Sequence, residues 1–324
     1  MSDADGLVLA ILLDGAGGGR ELDWPGVRAW EPSQGTLWVH MDYTNDHARR
    51  WLEGEADVEP ILAEALLAEE TRPRCGGLGE GTLLSLRGVN SNPGADPEDM
   101  VSIRLYATRQ RVLSTRRRPL LSVRDLRDAL GRGSGPTSSG ELVAMLADRL
   151  TERMADVIDQ LEERIDDIDE RVVDGGGQEV RPAILELRRE LIKLRRYLAP
   201  QREALSRLAG DPHVWMGDSD RLRVREALDR VNRYLEELDS ARDRAAVAHE
   251  ELGGRLAEQM NTRMYLLSVI AALFLPMGFL TGLLGINVGG IPLAESPWGF
   301  AIVSTGLGLI LAGQVWLFRR KRWF

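Results

Sequence analysis

The sequence of 324 residues has one cysteine, four histidines and a modest excess of acid, 50 Asp and Glu against 41 Lys and Arg, for a net charge of −9. A lone Cys75 excludes an intrachain disulfide and any thiolate-rich metal centre. The acidic balance argues against nucleic acid as a partner. His213 and His249 are isolated and do not read as ligands. Gly17-Gly18-Gly19 is followed by neither Gly-Lys-Ser/Thr nor a helical pattern, so it reads as a turn and not as a phosphate loop. No constellation of nucleophile, base and cofactor site is present, which disfavours an enzyme and implies no cofactor. The opening Met1-Ser2-Asp3-Ala4-Asp5 lacks the basic and apolar regions of a signal peptide, and none is expected.

The most informative absence is of charge near the C-terminal end. Between Arg263 and Glu295, and again between Glu295 and Arg319, there is no Lys, Arg, Asp or Glu. Each stretch exceeds the ~20 residues that carry a helix across ~30 Å of hydrocarbon. Two membrane spans are expected, at 264–284 and 298–318. The loop between them, 285–297, is short and rich in Gly, Asn and Pro, so the spans form an antiparallel hairpin. Arg255 and Arg263 precede the first span; Arg319, Arg320, Lys321 and Arg322 follow the second; the loop has no cation. That asymmetry places both termini in the cytoplasm and the loop outside. Tyr265, Trp298, Trp316 and Trp323 stand where an interfacial aromatic belt is expected.

Most of the remaining chain belongs in water, since 28% of all residues are charged. Strands are expected at 7–13, 36–41, 82–89, 100–108 and 111–115. Helices are expected after an Asn45 or Asp46 cap, at 58–67 and at 119–130. This alternation gives an α/β domain over 1–132. Within it His40, Asp42, Asp46 and His47 lie close in sequence, but their spacing does not bring both histidines and a carboxylate to one face. A solvated strand-to-helix turn is favoured over a metal site.

A glycine- and serine-rich segment, 131–140, reads as a flexible linker. Long helices follow over 141–263: one at 141–173, a second at 180–208 with Pro182 in its first turn and Pro200 as an irregularity, and a third that begins near Asp218 and meets no proline before Pro276. At 1.5 Å per residue the third is ~100 Å long. Val224, Leu228, Val231, Leu235, Leu238, Arg242, Ala245, His249, Leu252, Leu256, Gln259 and Arg263 keep a 4,3 spacing that turns polar towards the membrane. Helices diverging around water and an ordinary imperfect coiled coil both produce such a seam. Between Asp148 and Asp174 eleven acidic residues face four Arg, whereas 181–207 is mainly basic. Charge-complementary helices are favoured; an acidic, cation-attracting face is the alternative.

Asn261-Thr262-Arg263-Met264, Phe274-Leu275-Pro276 and the run from Leu280 through Gly285-Ile286-Asn287-Val288-Gly289-Gly290-Ile291-Pro292 together resemble the two-span divalent cation transporters of the CorA superfamily. Leu194-Arg195-Arg196-Tyr197-Leu198-Ala199-Pro200-Gln201-Arg202-Glu203 is also similar to the superfamily's cytoplasmic helices. Magnesium channels of that superfamily carry Gly-Met-Asn where this chain has Gly285-Ile286-Asn287, which looks like the zinc-transporting ZntB branch. The resemblance implies an α+β membrane protein of the inner membrane: a cytoplasmic α/β domain, a long-helix stalk and a hairpin over 264–324. It also implies assembly as a homopentameric funnel whose first spans line the pore and whose second spans lie outside.

The 4,3 stripe of Asn261, Met264, Ser268, Ala271, Leu275, Gly278 and Gly282 gathers most small or polar residues of the first span. It reads either as a close-packing GxxxG face or as a pore wall shared among copies. No carboxylate, histidine or thiolate lies in that span, so no bound metal is expected there and the ion passes largely hydrated. Asn287 beside the Gly285 and Ile286 carbonyls is the candidate selectivity filter. Glu295 raises local cation concentration at the outer mouth, and Arg319, Arg320, Lys321 and Arg322 form an inner collar that also meets anionic headgroups. The expected partners are further copies of the chain, the bilayer and divalent cations. The expected cargo is zinc, with cadmium, nickel and cobalt as related ions. A magnesium channel of the same fold and a non-transporting membrane-anchored scaffold are the alternatives.

Overall fold

The computed structural model describes residues 5–69, 71–175, 177, 179–210, 215–286, 290–292 and 295–321. It divides into two compact units, Met1–His249 and Glu250–Phe324.

The first unit is built on a seven-stranded mixed sheet in the order β2-β1-β3-β7-β6-β5-β4. The strands are β1 (Leu7–Leu13), β2 (Gly19–Glu21), β3 (Leu37–Asp42), β4 (Arg74–Leu78), β5 (Gly81–Gly88), β6 (Val101–Ala107) and β7 (Arg111–Arg116). Only β3 and β7 pair in parallel; the other neighbours are antiparallel. β3 is buried along almost its whole length because both faces are covered, and its run Leu-Trp-Val-His-Met shows the continuous burial of an interior strand. On one face α1 (Trp24–Arg28), α2 (Asp46–Gly54) and α3 (Pro60–Leu67) bury Trp24, Trp51, Leu52, Leu62 and Leu66 against Val39, Met41 and Leu113. The other face packs on α5 (Ser139–Glu152) and α7 (Arg181–Gly210), and α4 (Leu121–Gly131) packs on α5.

Local signals place these elements. Asn45 caps α2, its Oδ1 accepting the His47 N–H at 2.9 Å. Gly6, at φ +74°, is needed beside that cap, since a Cβ there would lie 2.7 Å from Asn45 Cβ and Ala48 Cβ. Asp14 Oδ1 accepts from Ala16 and Gly18 in the β1–β2 turn, as the turn reading of the glycine cluster requires. Strands β2 and β4 and helix α1 carry no readable pattern of their own. β4 contains Gly76 and Gly77 and exists because it pairs along β5.

Two expectations change. The helix expected over 141–173 is two helices, α5 and α6 (Ala155–Val173), broken where Arg153 caps α5 and forks onto Asp125 at 2.8 Å. The 131–140 segment is tied down: Gly135 N–H donates to Gly17 O at 2.7 Å, Ser138 caps α5, and Ser139 is buried. α7 contains Pro200, and the next residue, Gln201, is 1% exposed. The β4–β5 register stops at Arg74↔Ser85, and the strand pairing ends short of Arg87. Gln201 meets it there, accepting the Arg87 N–H at 2.7 Å and donating to Arg87 O at 3.0 Å.

The last two helices are α8 (Asp218–Leu284, 67 residues) and α9 (Gly299–Arg320, 22 residues). Both contain a stretch long and apolar enough to cross a membrane, and both stretches are almost wholly exposed in the single chain.

Candidate transport site

In the second unit α8 is shielded on one side only. Val269 is buried, and Leu273, Pro276, Met277 and Leu280, on the same helical face, are half-buried. α9 has a matching half-buried line through Val303, Gly306, Leu307, Gln314 and Phe318. At 100° per residue, the stripe of Asn261, Met264, Ser268, Ala271, Leu275, Gly278 and Gly282 falls on roughly the opposite side of α8. Every member of it is exposed. A Cβ added at Gly278 or Gly282 would meet nothing within 4 Å, so this GxxxG pair is not a contact within the chain.

Polar groups in the spans are satisfied locally. Ser268 Oγ donates to Met264 O at 2.8 Å, Thr281 Oγ1 to Met277 O at 3.0 Å and Thr305 Oγ1 to Ala301 O at 2.8 Å. Such back-bonding keeps hydroxyls in a helix where no water is available. α8 ends at Leu284, and Gly285 closes it by donating to Thr281 O at 2.9 Å and Gly282 O at 3.1 Å. A helix C-terminus presents unsatisfied carbonyls and the negative end of its dipole. Gly285 and Ile286 are exposed at that end. Asn287 lies outside the described residues.

Glu295 is exposed. Arg319 and Arg320 occupy the last turn of α9 and Lys321 follows it; the Arg320 guanidinium lies 5.3 Å from the Trp316 ring centroid. Arg322 and Trp323 lie outside the described residues, as does His213. Tyr265, Trp298 and Trp316 are exposed.

The two weaker sequence candidates separate. His40 is fully buried in the sheet, its Nδ1 2.8 Å from Ser114 Oγ, which also accepts from Trp38 Nε1 at 2.9 Å. Burial, helped by the charge of Arg116, pushes its pKa down to about 3, so it is a neutral core histidine. His47 instead meets Asp5 O at 3.3 Å on the surface. Among the described residues no group of three or more His, Cys, Asp and Glu is placed to hold a metal ion. Part of the acidic stretch is matched by arginines: Arg244 of α8 binds Asp166 and Asp169 of α6, each at 2.6 Å, and Arg230 pairs with Asp148, while Arg164 within the stretch pairs with Glu190 of α7. In α8 the apolar part of the 4,3 seam, Val224, Val231, Leu235, Leu238 and Ala245, is buried within the chain.

Gln201 was visible in the sequence only as the residue after Pro200 in the superfamily-like run; its role as a clamp on β5 needed the sheet. Tyr197 in the same run lies under Arg87, 3.9 Å from guanidinium carbon to ring centroid.

A unit of two membrane-length apolar helices with a small-residue stripe left bare, in one chain with a mixed α/β domain, defines a membrane transporter rather than an enzyme. A family model described as "CorA-like Mg2+ transporter protein" matches residues 33–320. The chain is 42% identical to the "Divalent cation transporter CmaX" of Pseudomonas aeruginosa over 331 residues, covering 99% of this chain and 98% of that one. It is 38% identical to the "Zinc transport protein ZntB" of Pectobacterium atrosepticum, covering 98% and 96%. The solved structure of full-length CmaX superposes with a TM-score of 0.85 at 41% identity, covering 99% of both chains. The chain therefore belongs to the CorA-like family of divalent cation transporters.

Proposed function

We propose that this chain moves zinc, and related divalent ions, across the inner membrane through a homopentameric pore, with both termini cytoplasmic. The observation that carries the reading is the bare stripe on α8 opposite its shielded face. One hairpin cannot enclose water, so a stripe of small and polar residues left open in each chain supports several copies around an axis, with α9 outside. Without carboxylates in the stripe, the ion keeps its water shell. The exposed carbonyl end of α8 and the adjoining Asn287 amide hydrogen-bond that shell, making Gly285, Ile286 and Asn287 the filter. Glu295 concentrates cations at the outer mouth, and Arg319, Arg320, Lys321 and Arg322 hold the inner end at anionic headgroups.

Zinc is preferred because the filter reads Gly-Ile-Asn and because the ZntB relative is named for zinc. A magnesium or cobalt channel is the second reading, favoured by the description of the family model. Liposomes containing the purified protein, loaded with a metal-selective dye, separate them. Faster zinc than magnesium entry, lost in Asn287→Ala, is the expected result; no flux of any divalent ion leaves a membrane-anchored scaffold.

A further inference from the structure

The first unit contains a cavity of about 660 Å³ where β5, β6, the residues after β7 and α7 meet. That volume suits a small organic or inorganic ligand. Six cationic side chains line it, Arg72, Arg87, Arg117, Arg118, Lys193 and Arg196, against three carboxylates, Glu69, Glu98 and Asp99. In a chain of net charge −9 this is a local reversal of sign.

Part of that charge is already engaged. Glu98 and Asp99 each sit 3.4 Å from Lys193 Nζ. Arg87 donates to Thr71 O and Met100 O and stacks on Tyr197. Arg72, Arg117 and Arg118 have no ion pair among the described residues, and Arg196 has only the Tyr197 ring, at 5.7 Å.

An independent feature lies behind the wall. Arg104 on β6 is 1% exposed. Its Nη2 donates to Glu69 O at 2.9 Å and its guanidinium lies 4.8 Å from the Tyr43 ring centroid; Glu69 and Tyr43 both line the cavity. Its Nε and Nη1 have no acceptor among the described residues. Arginine keeps its proton even so, which leaves a buried cation without a counter-charge next to an arginine-rich hollow.

We propose that this cavity binds a small multivalent phosphate anion, a chain of two or more linked phosphates. Guanidinium forks match phosphate oxygens in pairs, and cations spread around one hollow favour several linked phosphates over a single one. Inorganic polyphosphate and the tail of a nucleoside triphosphate share this chemistry. Because Arg196 and Lys193 come from α7 and the others from the sheet and its loops, the anion clamps α7 to the sheet.

The test uses the full-length protein in lipid nanodiscs with EDTA present, so that the phosphate chain strips no metal during the measurement. Tripolyphosphate, ATP and orthophosphate are titrated by calorimetry at 0.15 M salt. Saturable binding of tripolyphosphate, competition by ATP and far weaker binding of orthophosphate are expected. Arg72→Gln/Arg196→Gln, at two exposed positions, should weaken tripolyphosphate binding by about tenfold or more with an unchanged circular dichroism spectrum. ATP binding more tightly than tripolyphosphate assigns the site to nucleotides; equal affinity assigns it to the phosphate chain alone. Absence of saturable tripolyphosphate binding at millimolar concentration, equal binding of orthophosphate, or undiminished binding by the double variant overturns the proposal.

Discussion

In the first unit Trp38, Leu105 and Leu113 are buried to 0% exposure, whereas in the second Leu275, Phe279 and Trp298 remain 76%, 68% and 71% exposed. The first unit closes on itself: a sheet covered on both faces, with α8 tied by arginines to α5, α6 and, through Arg195 and Asp239, α7. The second unit satisfies its backbone internally through helices but leaves its side chains to surroundings outside the chain. Lipid can cover the apolar flanks; the stripe from Asn261 to Gly282 calls for water or further copies. One unit is thus closed by its own side chains, and the other leaves its side chains to lipid, water or further copies.

The sharpest way to break this contrast is to fill the bare stripe. Gly278→Leu adds bulk where the single chain has open space, and is expected to cut divalent flux in liposomes at least about tenfold, ~1.4 kcal/mol of barrier, with the oligomer intact by gel filtration. If the oligomer dissolves and the flux per assembled particle does not fall, the stripe is a packing face and not a pore wall. In the closed unit the matching change is the opposite, removal of bulk: Leu105→Ala should destabilise it by about 2–5 kcal/mol in chemical denaturation.

The buried histidine gives a smaller effect with a definite sign. His40 has a folded-state pKa of about 3, below its ordinary value, so on acidification the unfolded chain takes up a proton that the folded chain refuses. Stability of the first unit is full above the ordinary histidine range and falls as pH drops from there towards 3, by ~1.4 kcal/mol per pH unit. His40→Leu should flatten that slope between pH 6 and 4; an unchanged slope assigns it to other groups. The smallest effect is expected at the surface. Arg244→Ala removes the bridges to Asp166 and Asp169, which are solvent-accessible, and should cost no more than ~1 kcal/mol and less at high salt.

Legibility followed the same division. Continuous apolar strands such as 7–13, a cap at Asn45 or Asp46 and the charge-free spans announce themselves because each depends on residues close in sequence. β2 and β4 do not, since their pairing energy comes from β1 and β5. The break at Arg153 depends on Asp125, 28 residues away, so the periodicity of 141–173 ran straight through it. The stripe from Asn261 to Gly282 was readable as a spacing, but whether its glycines touch α9 was not.

Sequence by itself therefore determined the spans, the superfamily and the stripe, because hydropathy, charge and motif are local properties. Only the tertiary structure decided that His40 is a core residue and not a ligand, that Gln201 clamps α7 to β5, that arginines answer part of the acidic helix, and that six cations from four separate segments meet around one cavity. Those outcomes rest on contacts between residues far apart in the chain, and on burial, which sets the cost of every charge.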